Sequence, residues 1–261
     1  MDTITCLWYQ PKLDEISIMC INSWLKLGYK VLIYTYSIGF RNEWINTKYD
    51  KMVSVEDGNK ICPNNNNISS LEFRADEFRF TLFNMNKKSS SFNRIIWCDT
   101  DQYLIRKIPV VTNFVSSQET LKEGAFKHKD VREIPNIGIM SFDGYENVDW
   151  ELIIKKGNRK GKVNQSASLK QYEKLLLNSI YPVSSKSYCP IHWAYGKDIY
   201  SYVDIEQKNK YGLEPITYRR LYEDKEIIGI HLWRQLLNKK KWIIQKDSIY
   251  NRLRLASNIE L

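Results

Sequence analysis

The stretch "TITCLWYQPKLDEISIMCINSWLKLGYKVLIYTY", residues 3–36, predicts the fold. Its first part, "TITCLWY", is rich in β-branched and aromatic residues, which indicates a buried strand. Residues 13–27 carry apolar side chains at helical spacing, and Gly28 follows at the position of a helix stop. "KVLIYTY", residues 30–36, predicts a second buried strand. These segments form a β-α-β unit, so we predict an α/β fold with a Rossmann-like, mainly parallel sheet flanked by helices.

The pattern continues beyond this unit and then becomes less regular. "SSLEFRADEFRFTLFNM", residues 69–85, predicts a serine-capped helix, and "RIIWCDTDQYL", residues 94–104, predicts a further strand. The predicted apolar face of this helix comprises Leu71, Ala75, Phe78, Leu82 and Met85. After Arg106 we predict short strands at 124–129, 136–142 and 226–233 and a helix at 164–180. We expect one domain over 1–261, with a nucleotide-binding half at 1–110 and a more irregular half at 111–261.

Composition limits the class of protein and of partner. The chain has 261 residues with 39 basic and 30 acidic side chains, and its formal charge of +9 fits an anionic partner. The basic clusters at 155–162 and 238–242 are candidate contacts for an anionic acceptor or a membrane surface. Five cysteines without a CxxC pair predict reduced core residues rather than a zinc site or disulfides.

The expected location is the cytoplasm. No apolar run approaches the roughly 20 residues of a membrane helix, and "MDTITCLWYQ" lacks the layout of a signal peptide. Abundant asparagine, lysine and isoleucine are typical of an AT-rich genome, bacterial or viral. For a viral chain the expected location is the host cytoplasm.

Two aspartates, Asp99 and Asp101, follow the apolar run of the segment 94–104, with one threonine between them. Two like charges this close repel unless a cation or hydrogen-bond donors offset them. In an extended segment both carboxylates point to one side, and together they suit a hard cation such as Mn²⁺ or Mg²⁺. Such a cation bridges diphosphate oxygens and neutralises their charge. A DxD pair alone is also typical of a turn or a surface.

Several segments in this order resemble the DXD-containing sugar transferases of glycosyltransferase family 32. They are residues 7–36, "FRADEFRFTLFN", "IIWCDTDQYL", "NIGIMSF" and "IHLWRQLL", and the resemblance spans about residues 5–237. It implies a GT-A fold, a nucleotide-sugar donor, usually a UDP-sugar, and a divalent metal. It also implies that residues 1–110 form a nucleotide-sugar-binding half and residues 111–261 an acceptor-binding half. The implied acceptor is a glycan or glycolipid, and the implied reaction retains the anomeric configuration, without a nucleic-acid partner.

The resemblance assigns roles to individual residues. Asp99 and Asp101 match the metal and diphosphate motif, and Asp76 and Arg79 match a helix motif that, with Asp99, holds the donor sugar. His231 matches a late histidine that binds the metal or the diphosphate. Each has an alternative role, since Arg79 also fits a pair with Asp76 or Glu72 on a solvated face, and His231 also fits a satisfied interior residue.

Aromatic and amide residues complete the predicted site. Trp8 matches an aromatic that lies near the uracil ring, although it also fits a core tryptophan. Tyr34 and Tyr36, at the end of the second strand, are further nucleotide-binding candidates. Asn136 and Gln165 are acceptor-side candidates. The sequence departs from the family where "NKKSSSFN", residues 86–93, replaces a glycine pair.

No catalytic base or nucleophile can be named, although Glu133, Asp143 and Asp149 are available carboxylates. Trp233 fits either packing or a cover over the donor. One alternative function is a metal-dependent nuclease or nucleic-acid-binding protein, which the basic charge and carboxylate pair also fit. Another is a sugar-binding protein without activity.

Overall fold

The computed structural model describes residues 2–40, 47–64, 71–89, 94–110, 113–121, 131–145, 147–158, 181–192, 195–202, 204–205 and 216–257. The strands are β1 (Thr3–Trp8), β2 (Lys30–Thr35), β3 (Val53–Asp57), β4 (Ile95–Cys98), β5 (Gln102–Leu104), β6 (Phe114–Leu121), β7 (Val131–Phe142), β8 (Tyr181–Val183), β9 (Asp204–Ile205), β10 (Ile216–Thr217) and β11 (Gly229–His231). The α-helices are α1 (Glu15–Lys26), α2 (Leu71–Lys88), α3 (Trp150–Asn158), α4 (Ser185–Tyr188), α5 (Gly196–Ser201), α6 (Tyr218–Glu223), α7 (Arg234–Lys240) and α8 (Ile249–Ala256).

In the described part of the chain, a seven-stranded sheet has the order β3-β2-β1-β4-β7-β6-β8. Strands β3, β2, β1 and β4 are parallel neighbours, and β6 pairs in parallel with β8. Only β7 is antiparallel to its neighbours in this sheet, β4 and β6. The predicted mainly parallel α/β sheet is confirmed. Strands β6 and β7, which follow residue 110 in the chain, belong to the same sheet as β1, β2, β3 and β4. One sheet therefore contains strands from both predicted halves, and the division into two halves stays a prediction.

The β1-α1-β2 unit forms as its sequence predicts. The Asp14 carboxylate caps α1 by accepting a hydrogen bond from the Ser17 N–H at 2.8 Å. The helix ends at Lys26, and Gly28 adopts a φ of 83°, a left-handed conformation that glycine reaches without a Cβ clash. The chain then returns so that β2 lies parallel to β1.

Alternating side chains of the central strands build a core on each side of the sheet. Ile4 and Cys6 of β1 and Cys98 of β4 pack in the cluster that contains α1 and the late segments of the chain. Leu7 and Trp97, which are adjacent in sequence to Cys6 and Cys98 and so point to the other face of the sheet, pack in the cluster that contains α2 and α3. The two helical layers therefore cover opposite faces of the sheet.

The predicted apolar face of α2 is right in the middle of the helix and wrong at its ends. Phe78 and Leu82 are buried and Ala75 is half-buried, whereas Leu71 is 52% exposed and Met85 44% exposed. Among the described side chains of this helix, the buried positions are 76, 78–80, 82–83 and 86, because the middle of the helix packs against the sheet and α3.

The late part of the chain forms short elements, as predicted for the more irregular half. The strand predicted at 136–142 is the end of the longer β7, and the strand predicted at 226–233 is reduced to β11. Small antiparallel sheets pair β5 with β11 and β9 with β10. The strand predicted at 124–129, the helix predicted at 164–180, Gln165 and residues 159–162 of the first basic cluster lie outside the described residues.

Two further predictions concern the redox state of the cysteines and the absence of a membrane-spanning helix. All five cysteines are free thiols; four are buried, and Cys62 is half-buried at the edge of the core. Among the described helices, none has both the length and the apolar character needed to cross a membrane.

Candidate functional site

A cavity of about 790 Å³ lies at the carboxyl ends of β1 and β4. Residues 7–10 form one wall, and residues 97 and 99–101 form another, with contributions from α2, β7 and the segment 231–239. In the sheet, β2 and β3 extend to one side of β1 while β4 lies on the other, so the strand order reverses here. Ligands of open α/β sheets bind at such a point, and the volume is typical of small-molecule sites.

The two aspartates of the DxD pair lie on a turn rather than in an extended segment. Asp99 and Thr100 follow β4, and the Gln102 N–H donates to the Asp99 carbonyl at 3.0 Å, which closes the turn. The Asp99 N–H donates to the Gly138 carbonyl of β7 at 2.7 Å. The predicted extended geometry is therefore wrong, because the chain must reverse to enter β5. Both aspartates nevertheless line the cavity.

Arg79 holds Asp76 and Asp99 from inside the protein. Its guanidinium lies 3.2 Å from the Asp76 Oδ1 and 3.2 Å from the Asp99 Oδ1, and its Nη1 donates to the Ile137 carbonyl. Arg79 and Asp76 are almost fully buried. The pair of Arg79 with Asp76 thus forms, but the solvated-face alternative is wrong. Arg79 fixes where the Asp99 carboxylate stands.

The environment of Asp99 also involves Trp97. The Trp97 Nε1–H donates to the Asp99 Oδ1 at 2.8 Å, and the Arg79 guanidinium lies over the Trp97 ring at 4.9 Å from its centroid. Burial raises the pKa of Asp99, although the neighbouring Arg79 charge acts in the opposite direction. The Asp99 carboxylate is therefore fixed in position, because its Oδ1 is contacted by Trp97 Nε1 and Arg79 Nη1.

His231 pairs with Asp101 through the small sheet of β5 and β11. The register of that sheet places His231 opposite Gln102, and the His231 Nε2 lies 3.3 Å from the Asp101 Oδ2. Burial alone would lower the pKa of His231, but the Asp101 carboxylate raises it to about 10. Burial would likewise raise the pKa of Asp101, yet the His231 and Arg234 charges hold it well below its usual range. The two side chains are placed to form an ion pair when the imidazole is protonated.

Arg234 connects this ion pair to β1 and α1. Its backbone N–H donates to the Asp101 Oδ2 at 3.1 Å, and its Nη1 donates to the Ser17 Oγ at 2.6 Å and to the Thr100 Oγ1 at 3.1 Å. The guanidinium lies 4.8 Å from the Trp8 ring centroid and 3.5 Å from the Asp14 Oδ2. One side chain thus joins the aspartate turn, the end of β1 and the start of α1.

The donor set fits a metal that is held by two carboxylates and by substrate. Within the described residues, the Asp99 Oδ2 and the Asp101 Oδ1 accept no hydrogen bond, since every contact of these side chains uses the other oxygen. In the same part of the chain, no group of three or more His, Cys, Asp and Glu side chains is arranged to hold an ion. Mg²⁺ typically takes one or two carboxylates together with phosphate oxygens and water. A role for His231 as a third ligand stays a prediction.

The aromatic candidates lie at different depths. Trp8 ends β1, lines the cavity and donates from Nε1 to the Lys12 carbonyl at 2.8 Å. Tyr34 and Tyr36 do not line the cavity, since Tyr34 packs on Phe78 and the Tyr36 hydroxyl donates to the Cys62 carbonyl. Tyr9 does line it and stacks on Tyr36 at 5.4 Å.

Asn136 is placed at the cavity by a glycine. The Asn136 Oδ1 accepts the Gly138 N–H at 2.8 Å, and both residues line the cavity. A Cβ on Gly138 would lie 2.7 Å from the Asn136 Oδ1 and 3.5 Å from the Asp99 Oδ2, so this position has room for glycine alone without a shift. The acceptor-side role of Asn136 stays a prediction.

The other carboxylates considered as bases have structural partners. The Asp143 Oδ1 accepts the Tyr145 N–H in a turn, and the Asp149 Oδ1 accepts the Leu152 N–H at the start of α3. Neither lines the cavity. The side chain of Glu133 lies outside the described residues.

Trp233 covers His231 at the cavity wall. Its ring stacks on the imidazole with centroids 4.0 Å apart, and its Nε1–H donates to the Ile191 carbonyl at 3.0 Å. Its φ of 52° and ψ of 41° are left-handed, a conformation that costs a residue with a Cβ about 1 kcal/mol or more. The residue starts α7 and directs Arg234 toward the aspartate turn.

Sequence reasoning missed three residues of this site: Tyr9, Gly138 and Arg234. Tyr9 follows Trp8, and its aromatic side chain at a strand end is the signal that was available. Gly138 interrupts an otherwise apolar strand, which is typical of a close backbone approach. Arg234 follows the "IHLW" motif, but no local pattern connects it to Ser17 or Asp101.

The comparisons with known proteins give structural similarity without sequence similarity. No model of a protein family matches the chain, and no curated protein matches it. The glycosyltransferase GlyE of Streptococcus pneumoniae TIGR4 superposes over 99% of this chain with a TM-score of 0.55 at 10% identity. This chain spans 60% of the length of GlyE.

Two further solved structures superpose less well. The mouse xyloside xylosyltransferase 1, in its apo form, matches 71% of this chain and 86% of its own, with 10% identity and a TM-score of 0.46. The galactosyltransferase LgtC, solved with donor and acceptor sugar analogues, matches 71% of this chain and 74% of its own, with 10% identity and a TM-score of 0.39.

The similarity to GlyE confirms the predicted GT-A type of fold. At 10% identity it establishes the fold alone. Membership of glycosyltransferase family 32 stays a prediction because no family model matches.

Proposed function

We propose that this protein is a metal-dependent glycosyltransferase that moves a sugar from a nucleotide-sugar donor, a UDP-sugar, to a hydroxyl of a glycan or glycolipid acceptor, with retention of configuration. The observation that carries the proposal is the position of Asp99 and Asp101 in a cavity at the strand-order reversal of a GT-A type sheet. Within the described residues, each aspartate keeps one carboxylate oxygen without a protein hydrogen-bond donor, which would suit a hard cation.

The described residues divide the work of binding. Trp8, at the end of β1, lines the cavity although it is only 7% exposed and its ring contacts Arg234, and the part of it that reaches the cavity is the contact we propose for the nucleobase. Arg79 orients Asp99 and Asp76, and Arg234 together with the His231 side chain orients Asp101. These contacts preorganise the carboxylates, so less reorganisation is needed when the donor binds. A bound Mn²⁺ or Mg²⁺ supplies positive charge for the departing diphosphate.

The acceptor side is proposed for the wall formed by β7. Asn136 is held there by the Gly138 N–H and lies beside the aspartate turn through the contact between the Gly138 carbonyl and the Asp99 N–H. A hydroxyl bound at this wall would stand next to the donor. Holding two reactants side by side supplies much of the acceleration in a transfer between them.

The proposal is tested by titrating a panel of UDP- and GDP-sugars in a calorimeter, with and without Mn²⁺. We expect one UDP-sugar to bind with Mn²⁺ present and Asp101→Asn to weaken that binding at least about tenfold, because a hydrogen bond or contact to a charged group is worth about 1.5–3 kcal/mol. Asp143→Asn removes the same charge from a turn outside the cavity and serves as the matched control. Circular dichroism checks that both variants fold.

The possible outcomes separate the functions considered. Absence of binding to every nucleotide sugar, with and without Mn²⁺, contradicts the transferase. Salt-sensitive DNA binding together with Mn²⁺-dependent cleavage supports the nuclease instead. Binding of a sugar donor without hydrolysis or transfer to any acceptor supports the inactive sugar-binding protein.

A further inference from the structure

The end of α7 and the segment that follows it present an apolar tip. Residues 239–246, "KKKWIIQK", comprise the last two residues of α7 and most of its connection to α8, and we call them the KWII tip. Ile243 is 74% exposed and Ile244 is 44% exposed, although the residues on either side include four lysines. Two adjacent exposed isoleucines are not explained by the core, which they do not join.

The tip is held in place at both ends. The Trp242 N–H donates to the Leu237 carbonyl at 3.3 Å, and the Gln245 N–H donates to the Tyr200 carbonyl at 2.8 Å. The Trp242 ring packs inward, at 6.0 Å from the Tyr200 ring and against the backbone of Gly196. Because its flanking residues are anchored, the tip holds Ile243 and Ile244 outward rather than letting them fold back.

The charge around the isoleucines is positive. Lys239, Lys240, Lys241 and Lys246 are all exposed, and within the described residues none of them forms an ion pair. The nearest acidic residue in sequence is Asp247, which is also exposed. An apolar pair surrounded by lysines is the arrangement with which peripheral proteins bind the headgroup region of an anionic bilayer.

We infer that the KWII tip docks this protein on the surface of an anionic membrane. Ile243 and Ile244 enter the boundary between headgroups and acyl chains, and the lysines contact the anionic headgroups. Burial of these apolar side chains in the bilayer contributes a favourable hydrophobic free energy, which binding to a soluble polyanion does not provide. This distinguishes a bilayer from a nucleic acid or an acidic protein as the occupant.

The position of the tip relative to the cavity indicates an acceptor class. Helix α7 begins at Arg234, beside the aspartate turn, and Asn238 and Lys239 near its end line the cavity. Its seven residues span about 10 Å. A membrane bound at the tip therefore lies next to the cavity mouth, so a lipid-linked glycan could present its hydroxyl there. This last step rests on the proposed function, whereas docking itself does not.

The test is vesicle flotation with the full chain, using phosphatidylcholine vesicles with and without phosphatidylserine. We expect binding to require phosphatidylserine and to fall at least about tenfold in Ile243→Ser/Ile244→Ser, since both side chains leave the acyl boundary. In Lys240→Gln/Lys241→Gln/Lys246→Gln we expect about a fivefold loss for each lysine removed. The isoleucine changes are at exposed positions, and a melting curve confirms that the variant folds.

Matched variants elsewhere on the surface serve as controls. Ile38→Ser/Val110→Ser removes two exposed aliphatic side chains outside the tip, and Lys30→Gln/Lys51→Gln/Lys225→Gln makes the same change in net charge. Both controls should float like the original protein. Equal losses in the tip and control variants would contradict the inference, as would absence of binding.

Competition with soluble polyanions separates membrane docking from a general affinity for negative charge. One outcome would overturn docking in favour of a general polyanion-binding surface. In that outcome heparin or DNA competes fully with vesicles, and Ile243→Ser/Ile244→Ser does not change the binding of the polyanion. Calorimetry of the UDP-sugars in solution needs no membrane, so failure of the proposed function and failure of docking give different results.

Discussion

The structure predicts that Arg234→Met destabilises the protein by roughly 3–4 kcal/mol. The guanidinium donates to the Ser17 and Thr100 hydroxyls, both of which are buried, and a hydrogen bond from a charged group is worth about 1.5–3 kcal/mol. We take the lower value because the hydroxyls can rotate to other partners. The contact with the Trp8 ring adds about 0.5–1 kcal/mol. The Asp14 pair adds little because the Asp14 side chain is 42% exposed.

The assay is urea unfolding followed by circular dichroism, with a thermal melt as a second measure. For a chain of this size the expected loss corresponds to about 6–16 °C in Tm. The backbone N–H of Arg234 still bonds Asp101 in the variant, so the measurement isolates the side chain. Arg234→Lys keeps the charge without the planar fork and should recover less than half of the loss.

Arg254→Met is the matched control for this measurement. The Arg254 side chain is 24% exposed, as is that of Arg234, and it forms an ion pair at the same distance of 3.5 Å, with Glu15. Its side-chain hydrogen bond goes to Asn251 on its own helix. We expect a cost of about 1 kcal/mol. If Arg234→Met lowers the free energy of unfolding no more than Arg254→Met does, the contacts of the Arg234 side chain with Ser17, Thr100 and Trp8 do not stabilise the site, and the reasoning is refuted.

Two further predictions concern the walls of the cavity. Gly138→Ala should cost about 1–3 kcal/mol, because the new Cβ would lie 2.7 Å from the Asn136 Oδ1, whereas Gly39→Ala, with nothing within 4 Å, should be neutral in the same urea titration. An equal effect at both glycines would contradict the close approach. Trp8→Leu should weaken binding of UDP at least about fivefold in calorimetry, since stacking on a base is worth about 1–3 kcal/mol. Tyr36→Phe should leave UDP binding unchanged, because Tyr36 does not line the cavity; a larger effect of Tyr36→Phe would contradict this placement.

Local patterns were sufficient where a segment's environment is set by its own residues. The β1-α1-β2 unit follows from apolar spacing and from Gly28, and the strand before Asp99 follows from its β-branched and aromatic run. The same reasoning failed at Leu71 and Met85, because periodicity defines a face of α2 but not how far along the helix its packing extends. It also misplaced the two aspartates in an extended segment, since the turn is set by the pairing of β5 with β11.

What the sequence by itself determined is the alternation of strands and helices and the placement of two carboxylates at a strand end. These features depend on neighbours within a few residues, whose spacing can be counted. The tertiary structure alone decided the partners of those carboxylates, because Arg234 reaches Thr100 and Ser17 across 134 and 217 residues of chain. Contacts over such separations depend on strand order and pairing, which no local periodicity encodes.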